Sequence, residues 1–179
     1  MFYENLKKIL KFEVFSIVFV SILGTLLHFT FDWSNSNLIV GTFSAVNESV
    51  WEHLKLLFFP MLISTTLGYF YLGKSIPSFL CARFFAVVVS ILFTVIFFYT
   101  YTGILGFNID IFNILSFYIA VFLGEYVSYK IMISKVNCDN SKIVTFFLLL
   151  LICFVFFTFS PPKIGLFKDP VTNGFGINI

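Results

Sequence analysis

Charged residues are scarce in this chain of 179 residues. Asp, Glu, Lys and Arg together make up 11% of the sequence, whereas hydrophobic residues make up 59%. Soluble domains carry about 25% charged residues, so this composition excludes an ordinary water-soluble protein and indicates a protein of the lipid bilayer. The formal net charge is only +2, and the lysines form no basic stripe among aromatic residues. We therefore expect no nucleic-acid partner.

Cysteine is also rare, with three residues and no C-x-x-C pair. Cys81 and Cys153 lie inside apolar runs and Cys138 lies in a polar loop, so we expect packing residues and no disulfide. No cleavage site of small residues follows the lysines near the N-terminus. The apolar run after these lysines is therefore predicted to be a membrane helix and not a removable signal peptide.

Recognised catalytic signatures are missing. The sequence contains neither G-x-S-x-G nor H-E-x-x-H, so it does not decide whether the protein is an enzyme. It also shows no internal repeat and no low-complexity linker, and we expect a single membrane domain over residues 1–179.

Long apolar runs, by contrast, are abundant. Five of them approach the length of about 20 residues that a membrane-spanning helix needs. We therefore predict an all-α integral membrane protein with five transmembrane helices and one amphipathic helix that is interfacial or re-entrant. The five predicted spans cover residues 12–31, 54–73, 78–99, 109–131 and 143–159.

An asymmetry of positive charge predicts the orientation of these helices. One set of alternate connections carries eight cations and the other carries three. Because cation-rich connections normally stay in the cytoplasm, we place the N-terminus in the cytoplasm and the C-terminus outside. The larger set is Lys7, Lys8, Lys11, Lys74, Arg83, Lys130, Lys135 and Lys142, and the smaller set is Lys55, Lys163 and Lys168.

The most polar stretch between the apolar runs is N-E-S-V-W-E-H-L-K, which begins at position 47. Drawn as a helix over residues 44–58, it puts apolar side chains on one side and Glu48, Glu52 and Lys55 on the other. We expect these three charged side chains to face water. Pro60 is expected to end or kink this helix where the chain enters the bilayer.

Candidate site residues gather on the predicted outer side. Two carboxylates and two histidines could supply the ligands for zinc or another divalent ion, namely Glu48, Glu52, His28 and His53. Their spacing matches no metal signature, and an interfacial helix that faces water is the simpler explanation of the two carboxylates. The wider set expected to bind a small polar or lipid ligand is His28, Glu48, Trp51, Glu52, His53, Tyr99, Tyr101 and Asp169.

Three further ionisable residues, Glu13, Arg83 and Glu125, lie within apolar runs near the predicted cytoplasmic ends of three helices. An ion pair such as Arg83 with Glu125 would tie helices together, and a proton or ion path is the functional alternative. An apolar gap separates this layer from the outer polar residues, which argues against a path across the whole bilayer.

The tail over residues 161–179 begins with two prolines that stop the fifth helix. It is too apolar for a disordered segment, so we expect it to fold back over the outer helix ends as a lid. Adsorption of the tail on lipid headgroups is the alternative.

Three strings in the sequence resemble an uncharacterised family. They are F-S-A-V-N-E-S-V-W-E-H-L-K-L-L-F-F-P at 43–60, Y-T-Y-T-G-I-L-G at 99–106 and P-P-x-I-x-L-F-x-D-P at 161–170. The chain is similar in these strings to small multi-pass membrane proteins of Firmicute-type bacteria, known as domain of unknown function 6512. The resemblance implies an inner-membrane protein and supplies neither an activity nor catalytic residues.

Three hypotheses for function remain open. The first is a membrane protein that binds a small polar or lipid ligand, or a partner protein, at its outer face. The second is a membrane-embedded, metal- or carboxylate-dependent hydrolase of a lipid-like substrate, with Glu48 or Glu52 as the base and His53 or His28 as its partner. The third is a structural accessory subunit of a membrane-protein partner, which would have no cavity near Glu48.

Overall fold

The computed structural model describes residues 2–134, 136 and 138–177, with side chains from residue 4 onwards. Lys135 and the last two residues of the predicted tail therefore lie outside the described residues. Within the described chain, five helices are long and apolar enough to cross a membrane. The elements are α1 (Phe2–Trp33), α2 (Leu38–Gly41), α3 (Val50–Gly68), a π-helical turn (Tyr69–Gly73), α4 (Phe79–Leu105), α5 (Asp110–Ile133), α6 (Asn140–Phe159) and a 3₁₀ turn (Gly165–Phe167).

Four of the long helices form a bundle in which α1 packs on α3 and α5, and α4 packs on α3 and α5. The last long helix, α6, packs on α4 at the side of this bundle. We call the end that holds Trp33, Val50 and Phe159 the tail end, and the opposite end the N-terminal end. Phe58, Val87 and Val121 are almost fully buried in the apolar core between these two ends.

Glycine and serine bring two pairs of helices close together. A Cβ atom at Gly124 would lie 2.2 Å from Ser90 Oγ, and the Ser90 hydroxyl donates a hydrogen bond to the Ala120 carbonyl across α4 and α5. A Cβ atom at Gly24 would lie 2.4 Å from the Leu56 carbonyl oxygen. Such close backbone approaches are typical of helices that pack within a membrane, where small residues replace the hydrophobic driving force.

The predicted pairing of Arg83 is confirmed at the N-terminal end. The Arg83 side chain is fully buried, and its guanidinium donates to both carboxylate oxygens of Glu125 and, at 3.3 Å, to Glu13. Further donations reach Ser16 on α1, at 3.1 Å, and Ser64 on α3, at 2.9 Å. Because a buried charge is tolerated only when it is paired and hydrogen-bonded, this network fixes α1, α3, α4 and α5 relative to one another.

The predicted amphipathic helix over residues 44–58 does not exist as a separate element. Residues 42–49 form a loop, and the rest of the stretch is the beginning of α3. The Ser49 hydroxyl accepts a hydrogen bond from Glu52 N, and this cap fixes the start of the helix at Val50. Pro60 does not end the helix, since α3 continues to Gly68. The signal that marks this boundary is Ser-x-x-Glu at 49–52, the pattern of a capping box.

The expectation that all three cysteines are packing residues is wrong for two of them. Cys81 at the start of α4 and Cys138 just before α6 form a disulfide, with their Cα atoms 5.8 Å apart, and Cys153 is free. The two residues are 57 positions apart in the sequence. Their pairing was missed because only the packing of the helix ends brings the two Cβ atoms within bonding reach.

This disulfide predicts a specific alkylation result. Protein extracted and denatured in the presence of an alkylating agent, without reductant, should carry one alkyl group, at Cys153. Prior reduction should raise this number to three, the total cysteine content. The variant C138A releases Cys81 and should carry two groups without reduction. Intact mass measures the number directly, and three groups on unreduced protein would show that the bond is absent.

Candidate functional site

A cavity of about 360 Å³ lies at the tail end of the bundle. Helices α1, α3, α4 and α5 and the tail all contribute to its walls, which are mainly apolar and include Phe98, Ile114 and Phe117. Gly24 lines the wall where α1 approaches α3. A concave, largely apolar cavity with a few polar groups is the usual form of a small-molecule site.

Three of the predicted site residues meet in this cavity. His53 Nε2 lies 3.4 Å from one carboxylate oxygen of Glu48, and His28 Nε2 lies 4.0 Å from the other. The two imidazole rings are 5.2 Å apart between centroids. The two histidine side chains are 31% exposed and that of Glu48 is 50% exposed, so the group is open to solvent or to a ligand on one side.

The loop before α3 positions Glu48 and His53. The Asn47 side chain accepts a hydrogen bond from Ser49 N and donates one to the Gly176 carbonyl in the tail, at 2.9 Å each. The Ser49 carbonyl in turn lies 2.9 Å from His53 Nδ1. This hydrogen bond fixes the ring so that its other nitrogen, Nε2, points towards Glu48.

Ser44, in the same loop, forms hydrogen bonds to the turn of α1 that carries His28. The Ser44 hydroxyl accepts a hydrogen bond from Phe31 N and donates one to the Leu27 carbonyl, two groups that a regular α-helix would pair with each other. A side chain inserted into the hydrogen-bond ladder of a helix changes its local geometry. Ser44 is fully buried, so this contact couples the loop firmly to the helical turn that carries His28.

Glu52 does not join this group, contrary to the prediction that it lies with Glu48 on a water-facing side of one helix. Glu52 and Lys55 are 2% and 0% exposed and form an ion pair with each other. Lys55 Nζ also donates to the Gly41 carbonyl at 2.7 Å and to the Thr158 hydroxyl on α6 at 2.9 Å. The charges face inward because each satisfies the other. The three-residue spacing predicts this contact, and only its burial is not visible in the helical periodicity.

The remaining predicted site residues have other surroundings. The Trp51 ring packs between Phe154 and Phe167 at 4.7 Å from each. The Tyr101 hydroxyl donates towards the side-chain oxygens of Asn108 and Asn113. Neither Trp51 nor Tyr101 lines the cavity, and the same is true of Tyr99, which is exposed, and of Asp169, which is buried within the tail.

The tail folds back over the helix ends, in the arrangement that its apolar sequence predicts. Phe167 is buried against Trp51 and Phe157, at ring distances of 4.7 and 5.4 Å. Asp169 accepts hydrogen bonds from Val171 N and from the Thr172 hydroxyl and so closes a turn. This turn places Pro170 and Val171 in the lining of the cavity.

Several lining residues escaped the sequence analysis. Asn108, Asp110 and Asn113, around the start of α5, line the cavity, as does Tyr118, whose hydroxyl lies 3.1 Å from the Thr25 hydroxyl of α1. The available signal was the cluster of Asn and Asp residues at 108–113, between two apolar runs. This cluster has one charged residue, Asp110, and neutral amides are less conspicuous than ionisable side chains between apolar runs.

The geometry reduces the candidate metal-ligating and catalytic residues to His28, Glu48 and His53. Within the described residues, these three form a group whose potential metal-ligating atoms all lie within 4.8 Å of one another. Glu52 cannot serve as a general base facing a substrate, because its carboxylate is buried against Lys55. Of the two carboxylates considered for that role, Glu48 alone is presented to the cavity.

The contrast between Glu48 and Glu52 predicts opposite effects of the same substitution. E52Q removes the partner of a buried lysine and should lower the free energy of unfolding by about 3–5 kcal/mol. E48Q changes a half-exposed side chain and should stay within about 0.5 kcal/mol of the wild type. Melting of the detergent-solubilised protein measures both. Equal melting of the two variants would contradict the ion pair, and the double variant E52L/K55M should recover part of the loss.

Comparison with known proteins agrees with the similarity found in the sequence. No curated protein and no solved structure matches the chain. A model of the family described as "Family of unknown function (DUF6512)" matches residues 1–177. Because the match includes the loop, the α3 cap and the tail that surround the cavity, the chain as a whole belongs to this family of unknown function, DUF6512.

Proposed function

We propose that this protein is an integral membrane protein that binds an amphiphilic small molecule in the cavity at its tail end. The observation that carries the proposal is the combination of a mainly apolar cavity with a polar group of His28, Glu48 and His53 in its wall. Apolar walls suit a hydrocarbon chain, and a few convergent polar side chains orient a headgroup.

The side walls of the cavity support entry of the ligand from lipid. Phe29 on α1 and Ile114 and Tyr118 on α5 line the cavity, and 42–53% of each residue is exposed, so together they form an accessible surface beside the cavity. In a membrane this surface would face hydrocarbon chains. An amphiphile could therefore reach the cavity between α1 and α5 without crossing water.

The cavity also distinguishes this proposal from a purely structural role. An accessory subunit needs an apolar face that fits its partner, and it has no need of a cavity beside Glu48. A hydrolase would need the same cavity together with an activated water molecule, which the Glu48 or Asp110 carboxylate in the lining would have to contact. Binding is therefore the function that the arrangement supports without a further assumption.

Blocking the cavity tests this function. The variant I114W places a large ring in the cavity wall, whereas I119W makes the same change at an exposed position of the same helix outside the lining. A fluorescent single-chain fatty acid should bind the wild type and I119W, and its affinity should fall at least tenfold in I114W. Equal affinity for all three proteins, or no saturable binding by the wild type, would contradict the proposal.

We further propose that the N-terminal end lies in the cytoplasm of a bacterial cell and the tail end outside. Among the described residues, six exposed lysines lie at the N-terminal end and two lie at the tail end. The six are Lys7, Lys8, Lys11, Lys74, Lys130 and Lys142, and the two are Lys163 and Lys168. The Cys81–Cys138 disulfide lies at the N-terminal end, and disulfides are rare in the cytosol. We give the charge more weight because the bias of lysine and arginine sets the orientation during insertion.

Single exposed cysteines test this orientation. In a C153A background, K163C should react with a membrane-impermeant thiol reagent added to intact cells, and K7C should react only after the cells are opened. Reaction of K7C from outside would reverse the orientation. The unsubstituted C153A protein controls for reaction of Cys81 or Cys138.

A further inference from the structure

The positions of the polar atoms of His28, Glu48 and His53 indicate what lies between these three side chains. The Ser49 carbonyl can only accept a hydrogen bond, so the His53 Nδ1 that lies 2.9 Å away must carry a proton. In a neutral imidazole the other nitrogen, Nε2, then presents a lone pair. This lone pair points at a carboxylate oxygen of Glu48 at 3.4 Å, an arrangement that is repulsive unless a cation lies between the two atoms.

His28 supplies a third potential metal ligand close to Glu48 and His53. His28 Nε2 lies 4.0 Å from the second carboxylate oxygen of Glu48, and the ligand atoms of all three residues lie within 4.8 Å of one another. The three side chains come from α1, from the loop and from the first turn of α3. Their convergence therefore depends on tertiary structure and is not a by-product of one helical face.

We propose that His28, Glu48 and His53 bind one zinc-class divalent metal ion, whose remaining coordination position faces the cavity. Zinc bonds of about 2.0–2.2 Å to nitrogen and oxygen put tetrahedral ligand atoms about 3.3–3.5 Å apart. The 3.4 Å between Glu48 and His53 already has this value, whereas His28 lies 4.0 Å from the other Glu48 oxygen and has to move closer to bind the same ion.

The surroundings fit a metal site with one open position. Two imidazoles and one carboxylate are a ligand set that zinc uses where a fourth position is left for water or a ligand. The Ser49 carbonyl holds His53 in the tautomer that such a site needs, as outer hydrogen-bond partners of metal ligands generally do. The start of α3 carries a partial positive charge that disfavours a cation, and the Glu48 carboxylate offsets it.

This inference deepens the proposed function because it names what would hold the headgroup. An amphiphile in the cavity would place an oxygen donor of its headgroup, from a carboxylate or a phosphate, on the open position of the ion. The Glu52–Lys55 pair takes no part, because both groups are buried and satisfied.

Metal binding is measured on chelator-treated, detergent-solubilised protein in a C153A background, which removes the free thiol. After addition of zinc and gel filtration, one zinc per chain should remain, as counted by elemental mass spectrometry. H28Q, H53Q and E48Q should each weaken zinc binding at least tenfold. D110N removes a carboxylate from the same cavity lining without touching the three ligands, and it should retain zinc as the parent does.

Melting without metal controls for folding, since H28Q, H53Q and E48Q should melt within a few degrees of the parent. Zinc should raise the melting temperature of the parent and of D110N and leave the other three unchanged. Retention of zinc by all variants, or no zinc on the parent, would overturn the metal site.

Cobalt(II) separates this inference from the proposed function. Bound cobalt should show visible absorption bands that change when a single-chain fatty acid or an alkyl phosphate is added. Fatty-acid binding by the chelator-treated protein without any metal response would overturn the metal site and leave the cavity function intact. Cobalt absorption bands without binding of either amphiphile would support the metal site and contradict the proposed binding function.

Discussion

An ionised side chain inside an apolar helix bundle is tolerated only when an opposite charge and further hydrogen bonds surround it, because the low dielectric removes the stabilisation that water would provide. Two clusters obey this constraint. Arg83 is paired with Glu125 and Glu13 at the N-terminal end, and Lys55 is paired with Glu52 at the tail end. Both link several helices, so the arrangement of the bundle depends on these charges being satisfied.

The group in the cavity differs from these clusters in kind. His28, Glu48 and His53 are partly exposed, and a neutral His53 with its proton on Nδ1 has no hydrogen atom on the Nε2 that faces Glu48. Among the described residues, two buried side-chain nitrogens have no hydrogen-bond partner, His28 Nδ1 in this group and Trp51 Nε1 beside the tail. Buried polar groups are normally satisfied, and departures from this rule concentrate where a protein binds something. The contrast with the two satisfied clusters is the physical reason for placing the function here.

The tail and the loop 42–49 shape the cavity together. Asn47 connects them through the Gly176 carbonyl, Ser44 connects the loop to α1, and Phe167 anchors the tail on Trp51. The cavity is therefore closed by segments that do not belong to the long helices. Movement of the tail would change the lining at Pro170 and Val171 while the Arg83 network at the other end stayed intact.

Composition and the length of the apolar runs were enough to predict an all-α protein with five long helices, because hydropathy and helix length are local properties of a sequence. The folding back of the apolar tail and the pairing of Arg83 with Glu125 were also predicted, since an exposed apolar segment or an isolated charge in an apolar run has few acceptable environments. His28, Glu48 and His53 were named as site residues because ionisable groups are conspicuous in such a chain.

Tertiary structure alone decided which of these groups meet. Glu48 and Glu52 lie four residues apart and look equivalent in the sequence, yet the Ser49 cap separates them into a loop residue and a buried helical residue that pairs with Lys55. Cys81 and Cys138 meet because two helix ends pack together, and Asn108 and Asn113 reach the cavity because α5 crosses beside α1. Contacts between distant segments depend on the packing of whole helices, and no local periodicity records them.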